Sequence, residues 1–230
     1  MSVESGCWGW SVCLRALVVI AVASLCPLAN ASINLTLQPV NAVADVGEVV
    51  EVRVYATSDS SSNQLLSAVQ MILGWQTPYL QLLGNHQIGA VPLLVSGFPV
   101  GDPWGLNESN PPQNGVGMYQ AFAPLGNPVA ATPSGTLLTT LRFLALAPTP
   151  ATPVDILPSA GSPLGHTIVF DGTTPNTNVT GVLTGTSITI IPAPSGIIAL
   201  VLGGMVSHRR RGLSIVGVVA VFRGFGPTFQ

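Results

Sequence analysis

Lysine is absent from this chain of 230 residues, and charged residues make up only 7% of it, against about 25% in an ordinary soluble domain. Positive charge is the scarcer sign. Between Ser32 and Ile191 the cations are Arg53 and Arg142, whereas eight acidic residues give this segment a net charge of −6. Such a surface repels a phosphate backbone and offers no basic patch to neutralise one. Nucleic-acid binding is therefore excluded.

Cysteine is missing from the same segment. The three cysteines of the chain, Cys7, Cys13 and Cys26, all lie near the N-terminus. Beyond Ser32 the sequence therefore excludes a disulfide framework and a cysteine-based metal site.

The N-terminal residues have the pattern of a secretory signal peptide. Arg15 precedes the apolar run ALVVIAVASLC, and Ala29 and Ala31 supply the small residues of an A-x-A cleavage site. We predict that signal peptidase cleaves after Ala31, so that residues 1–31 are removed and the mature protein begins at Ser32. An uncleaved N-terminal anchor and a lipoprotein anchored through Cys26 are the alternatives.

A second apolar run near the C-terminus lies between prolines and arginines. The residues that flank it are Pro192, Pro194 and Ser195 before it and Arg209, Arg210 and Arg211 after it. From residue 195 to residue 208 a helix would be about 21 Å long, shorter than the roughly 30 Å of a hydrocarbon core. Clustered arginines stay on the cytoplasmic side of a membrane. The pattern predicts an exported body with a membrane-inserted tail.

This arrangement resembles the PEP-CTERM sorting signal of bacterial envelope proteins, in which a Pro-Glu-Pro motif, a transmembrane helix and a basic cluster follow one another. Ala193 stands where the family has glutamate. The resemblance implies that an exosortase-type membrane protease recognises the signal, residues 191–211, and cleaves near the prolines. Residues 212–230 would then form a tail of unknown role. An ordinary C-terminal membrane anchor is the alternative.

Short runs of alternating polarity fill the body, residues 32–190. In EVVEVRVYA, Val50, Val52 and Val54 point to one side and the intervening residues to the other, which predicts a half-buried strand. The segment Leu65–Trp75 predicts another strand, with Trp75 in the core. Seven to nine such strands, with no convincing amphipathic helix, predict an all-β fold, an antiparallel β-sandwich.

The segment from Gly84 to Pro133 differs from the rest of the body. It is dense in turn residues and shows no lasting period, apart from one short strand predicted at GMYQAFAP. Long stretches of this kind are often functional or mobile. The sequence predicts a long, largely irregular insertion there.

Three stretches of the body resemble a cohesin-like domain of the carbohydrate-binding-module superfamily. They are Val46–Val52, then Leu66–Trp75 with Tyr79–Leu82, and then Gly135–Ala145, which ends in LRFLA. The resemblance implies a jelly-roll sandwich that binds an unknown protein or glycan partner and performs no catalysis.

Residues that could carry catalysis are few and scattered. His86, in a predicted loop, and His166, at a strand start, lack the spacing of a zinc site, and no G-x-S-x-G is present. Glu48 and Glu51 are three apart on a strand and face opposite sides, so they cannot serve as a glycosidase pair. The turn Asp171–Asn178 offers oxygen ligands for calcium but lacks EF-hand spacing. We predict no catalytic residues and no cofactor, with calcium as a weaker alternative to a plain turn.

These features together predict an exported, noncatalytic protein of the cell surface or extracellular matrix that works in adhesion or assembly. The alternative is a carbohydrate-binding module that uses exposed aromatic side chains. Trp104, within GDPWGLNE of the insertion, is the candidate ligand contact, because an aromatic ring can stack on the apolar face of a sugar. An enzyme is the third and weakest interpretation.

Overall fold

A computed structural model describes residues 32–103, 105–160, 165–173 and 177–193. In these ranges the chain forms fourteen strands: β1 Ile33–Pro39, β2 Val43–Asp45, β3 Val49–Ser58, β4 Gln64–Leu66, β5 Ala68–Trp75, β6 Leu80–His86, β7 Val95–Gly97, β8 Val116–Phe122, β9 Val129–Ala131, β10 Thr136–Ala145, β11 Thr149–Leu157, β12 Ile168–Phe170, β13 Thr180–Thr184 and β14 Thr186–Ile191. Within those ranges no helix has the length and apolar character that a membrane span requires.

The strands form two large sheets and one small one. The five-stranded sheet has the order β13-β1-β3-β10-β6, and the seven-stranded sheet has the order β2-β14-β11-β5-β8-β7, with β12 also paired to β5. Strands β4 and β9 form a two-stranded sheet of their own. The two large sheets enclose one apolar core, which confirms the prediction of an all-β sandwich.

The alternating side chains of β3 face opposite sides of the sheet, as predicted. Val50, Val52 and Val54 are buried in the core, whereas Arg53 is exposed on the other side of the strand. Strand β5 contributes Trp75, which is 7% exposed and stacks edge-on against Phe143 at 5.9 Å between ring centroids. The core position predicted for Trp75 is confirmed.

Strand direction departs from the prediction of an antiparallel sandwich. Most pairs are antiparallel, but β13 lies parallel to β1, and β14 lies parallel to β2. Both exceptions bring a late strand alongside an early one at an edge of each sheet. The alternation of side chains reports which residues face the core and is the same for both directions, so the pattern could not reveal the parallel pairs.

The predicted number of strands, seven to nine, was too low. Five of the fourteen strands, β2, β4, β7, β9 and β12, contain three residues each, which is too short for an alternation to be visible. The single strand predicted over Leu65–Trp75 is divided at Ser67. The backbone N–H of Ser67 donates to Phe170 O at 2.8 Å, and Ala123 N donates to Ser67 O. The backbone of Ser67 therefore hydrogen-bonds to Phe170 and Ala123, and this residue separates β4 from β5.

The insertion predicted over Gly84–Pro133 is more ordered than its composition suggests. It contains the end of β6 and the whole of β7, β8 and β9. Residues 98–115, apart from Trp104, form what we call the cover segment, which packs along the β8 edge of the seven-stranded sheet and reaches its outer face at Leu106. The short strand predicted at GMYQAFAP corresponds to β8, and most of the rest of the insertion lies outside strands, as predicted. The sequence did not reveal that the cover segment is held by side-chain hydrogen bonds, which leave no periodic pattern.

Candidate functional site

The outer face of the seven-stranded sheet is partly closed by the cover segment. Leu106 of that segment is buried against Ile72 of β5 and Met118 of β8, in a small apolar cluster separate from the main core. On the core side of β8, a Cβ placed on Gly117 would lie 2.6 Å from Cγ of Pro112. The cover segment therefore contacts both sides of β8 and wraps this edge of the sheet.

Two polar side chains fasten the cover segment. Asp102, which is 8% exposed, accepts hydrogen bonds from Leu106 N at 3.2 Å and from Asn107 N at 2.6 Å. Asn107 is 2% exposed; its Nδ2 donates to Met118 O at 2.7 Å and its Oδ1 accepts from Met118 N at 2.8 Å. The Asn107 amide thus pairs with β8 as a neighbouring strand would.

The outer face of the five-stranded sheet carries a row of polar residues, of which Gln38 and Arg53 are exposed, His86 is partly exposed and Thr140 is buried. Residues that pair across neighbouring strands share a face of the sheet. Gln38 of β1 pairs with Arg53 of β3, Arg53 pairs with Thr140 of β10, and Thr140 pairs with His86 of β6. The row therefore crosses four strands. We call this surface, with Glu51 and Arg142 beside it, the open face.

The side chains of His86 and Glu51 are in hydrogen-bond contact on the open face. The two are 3.4 Å apart between Nε2 and Oε1, and the side chains are 27% and 41% exposed. Nδ1 of His86 accepts a hydrogen bond from Ile88 N at 3.3 Å, so the neutral ring carries its proton on Nε2 and donates it to Glu51. His86 was predicted in a loop; it is the last residue of β6.

A polar cluster lies where β6, β7 and β8 meet. The Tyr119 hydroxyl is 2.7 Å from Ser96 Oγ, and Asn85 Nδ2 donates to Ser96 Oγ at 3.2 Å and to Thr139 Oγ1 at 3.0 Å. Burial raises the pKa of the Tyr119 phenol, although hydrogen bonds with Ser96 and Thr139 act in the opposite direction. This ring belongs to the core and is not an exposed ligand contact.

We expect Tyr119 to make the folded protein sensitive to alkali. Above about pH 10 the phenol ionises in the unfolded chain but keeps its proton in the folded one, so the folded state binds more protons. The free energy of unfolding then falls by up to about 1.4 kcal/mol per pH unit. Urea unfolding between pH 8 and pH 11 should show this slope in the wild type and lose it in Tyr119→Phe, at a cost of about 1 kcal/mol near neutral pH. Tyr55→Phe, a half-buried tyrosine elsewhere, should keep the slope; if Tyr119→Phe also keeps it, the prediction is wrong.

A shallow cavity of about 600 Å³ lies at one end of the sandwich, lined among others by Trp75, Gln76, Tyr79 and Asn114. No aspartate, glutamate, histidine, cysteine or serine lines it. The Trp75 indole N–H is buried and has no hydrogen-bond partner. The hydroxyl groups of its lining are those of Thr77, Tyr79 and Thr149, and no carboxylate or imidazole lines the cavity beside them.

The described parts of the chain show no catalytic constellation. Neither ring nitrogen of His86 bonds a hydroxyl or thiol, and the side chain of His166 is exposed. No group of three or more His, Cys, Asp or Glu residues that could hold a metal ion occurs in those parts. The enzymatic interpretation therefore finds no support in the described residues.

The turn that was a weak calcium candidate begins at Asp171. Its Oδ1 accepts hydrogen bonds from Thr173 N and Thr177 N, each at 3.0 Å. Desolvation acts to raise the pKa of Asp171, but the hydrogen bonds from Thr173 and Thr177 outweigh it and lower the pKa below its ordinary value. The Asp171 carboxylate thus accepts hydrogen bonds within its own turn, which agrees with the interpretation as a plain turn.

Of the residues predicted for processing and binding, Pro192 lies in the described ranges and is exposed directly after β14. The others lie outside the described residues: Ala29, Ala31, Trp104, Pro194, Ser195, Arg209, Arg210 and Arg211. Sequence reasoning did not single out the open face. The one available signal was that Arg53 and Arg142 are the arginines of the body, each at an outward position of an alternating strand.

No family model and no curated protein matches this chain. Solved structures similar to it include a cohesin module of a family 33 glycoside hydrolase from Clostridium perfringens, with 10% identity and a TM-score of 0.49 over 71% of this chain and 100% of that one. The sixth cohesin of scaffoldin B from Acetivibrio cellulolyticus, solved with a mutant Cel5 dockerin, has 14% identity and a TM-score of 0.49 over 70% and 99%. A type II cohesin of the adaptor scaffoldin of that organism has 18% identity and a TM-score of 0.45 over 73% and 96%.

Proposed function

We propose that this chain is an exported, noncatalytic β-sandwich of the cell surface or extracellular matrix that works in adhesion or assembly. One observation carries the proposal: the folded body fills the interval between the two predicted processing signals. Strand β1 begins at Ile33, just after the cleavage site at Ala31, and β14 ends at Ile191, just before Pro192. Removal of either end would leave every described strand intact.

The C-terminal boundary suits a protease that acts on the prolines. Ile191 still belongs to the sheet, since its carbonyl accepts a hydrogen bond from Val46 N at 3.0 Å. Pro192 has no N–H to continue a strand, and both Pro192 and Ala193 are exposed. The chain therefore leaves the sandwich at the first proline of the motif, where a membrane-embedded enzyme could reach it without unfolding the body.

Binding is the function that the body supports best. Its described residues lack a catalytic constellation, and the cover segment closes part of one sheet face while the open face stays exposed. We infer that signal peptidase and an exosortase-type protease process the chain and that the open face meets the partner. An acidic, cysteine-free body suits transport in an extended state followed by folding outside the cell, since no disulfide has to form.

The proposal is tested by following the chain in a bacterium that encodes an exosortase. We expect the wild type at the cell surface, with Ser32 as its N-terminus by sequencing and with no peptide beyond about residue 195 by mass spectrometry. Replacing Arg209, Arg210 and Arg211 by glutamine should weaken membrane retention of the tail and leave it unprocessed in the medium. A control with Arg53→Gln should be processed normally. Full-length chain in the cytosol with both ends intact would refute the proposal.

A further inference from the structure

Both arginines of the body lie on the open face. Within residues 32–193 the chain has no other arginine or lysine. Arg142 pairs with Glu51, and Arg53 pairs with Thr140, two residues before Arg142 on β10. The two arginines are therefore diagonal neighbours, with Cβ atoms about 7 Å apart. All the permanent positive charge of an otherwise acidic body is thus gathered at one place.

Among the described residues, neither arginine has a hydrogen-bond or salt-bridge partner. Glu51 is the register partner of Arg142, but its side chain contacts His86 instead. Both side chains are exposed. Two adjacent like charges repel each other and contribute nothing to folding here. Their arrangement favours an external anion.

The shape of the open face restricts which anion can bind. Gln38, Arg53, Thr140 and His86 form a row across four strands, and the side chains of Tyr55, Leu137 and Leu144 on this sheet are only half exposed. Protein partners are usually held by large apolar anchors in pockets. Two apolar side chains exposed on this sheet, Val49 and Leu83, are less than half exposed. Guanidinium groups bind carboxylates through two parallel hydrogen bonds.

We propose that the open face binds a linear acidic polysaccharide whose sugars carry carboxylates. Arg53 and Arg142 bind carboxylates of the polymer, while Gln38 and His86 offer hydrogen bonds to its hydroxyl groups. The negative charge of Glu51 repels the anionic polymer and lowers its affinity for the open face. This inference rests on the proposed function, because it names the partner through which an exported sandwich would attach to the matrix.

Binding to polygalacturonate is the direct test, measured by titration calorimetry at low and at physiological salt. All proteins are full chains in which Arg209, Arg210 and Arg211 are replaced by glutamine, so that the tail contributes no basic cluster. We expect Arg53→Gln and Arg142→Gln each to weaken binding about tenfold, which is the effect of losing one charge-assisted hydrogen bond. Glu51→Gln should tighten binding. Asp155→Asn, a matched charge change on an exposed residue of the other sheet, should change it much less than Glu51→Gln.

Three results would overturn the inference: equal binding by the double variant Arg53→Gln/Arg142→Gln, equal binding of uncharged dextran, or equal binding of single-stranded DNA. Matching unfolding curves would show that the variants are folded. These outcomes concern the purified protein alone. Loss of binding to the polymer therefore leaves the export and processing results untouched, and a cytosolic location would contradict the proposed function without altering the measured affinity.

Discussion

Replacing Asn107 by alanine is expected to lower the free energy of unfolding by about 3 kcal/mol, because three buried hydrogen bonds disappear at about 1 kcal/mol each. The Asn107 amide donates to Pro99 O at 3.0 Å and to Met118 O at 2.7 Å, and it accepts from Met118 N at 2.8 Å. Strand β7 reaches only as far as Gln120 on β8. At Met118 the edge of the sheet has the Asn107 side chain in place of a strand.

Asn107→Asp gives a sharper version of the same test. The aspartate has the same shape but no N–H donors, and it would place a negative charge against the carbonyls of Pro99 and Met118 in a site that is 2% exposed. Burying an unpaired charge costs more than losing a hydrogen bond. We therefore expect Asn107→Asp to be at least as destabilising as Asn107→Ala.

Urea unfolding with a hydrogen-exchange readout measures both effects. The amide of Met118 should lose protection in Asn107→Ala, because its acceptor is gone. Asn41→Ala provides a matched control, since Asn41 is exposed and no described hydrogen bond involves its side chain. We expect that change to stay within about 0.5 kcal/mol. If Asn107→Ala also stays within that range, the cover segment is not held as the structure indicates.

The cover segment also shows where sequence reasoning stops. Alternation identified β3 and β5 because one face of each strand is buried, and burial with a period of two leaves a visible pattern. Residues 98–115 are held by single side chains such as Asp102 and Asn107, which bond to backbone groups several residues away. In sequence these two residues look like any polar residues of a turn-rich loop. A packed cover was therefore indistinguishable from an irregular insertion.

The open face was hidden for a different reason. Arg53 and Arg142 are far apart in sequence, and each is simply an outward residue of its strand. They become neighbours because β10 pairs with β3 in a register that is shifted between Leu137 and Thr139. A shift of one residue reverses which face a side chain occupies. The alternation of β3 and β10 taken separately does not reveal that pairing or that irregularity, so the clustering of charge could not be predicted.

The second large effect concerns Asp59 and the N-terminus that processing would create. Asp59 Oδ1 accepts a hydrogen bond from Ser32 N at 2.7 Å, Asp59 Oδ2 accepts one from Ser32 Oγ at 2.5 Å, and Asp59 N donates to Ser32 O at 3.0 Å. Cleavage after Ala31 would convert the Ser32 N–H into an α-ammonium group at the same place. A neutral hydrogen bond would thereby become an ion pair, which ties the start of β1 to the end of β3.

We expect Asp59→Ala to destabilise a chain that begins at Ser32 by about 1 kcal/mol, because the pair is exposed and surface ion pairs contribute about that much or less. A chain that keeps Ala31 ahead of Ser32 should lose less, because its Ser32 N–H carries no charge. The chain that begins at Ser32 and the chain that keeps Ala31, each with and without Asp59→Ala, form a double-mutant cycle. Urea unfolding of these four proteins gives the energy that the charge of the new N-terminus adds to the pairing with Asp59.

The pH dependence of that cycle distinguishes an ion pair from ordinary packing. An adjacent carboxylate favours the charged ammonium, so we expect the α-amino group created at Ser32 to keep its proton to higher pH in the folded chain than in the unfolded one. A group whose pKa is raised on folding stabilises the fold below its unfolded pKa, and this stabilisation disappears as the pH rises through the folded value. The extra free energy of unfolding of the chain that begins at Ser32 should therefore be fully present at pH 7 and absent by about pH 10 to 11. An advantage that persists there, or that survives Asp59→Ala, would show that the new N-terminus is not paired with Asp59.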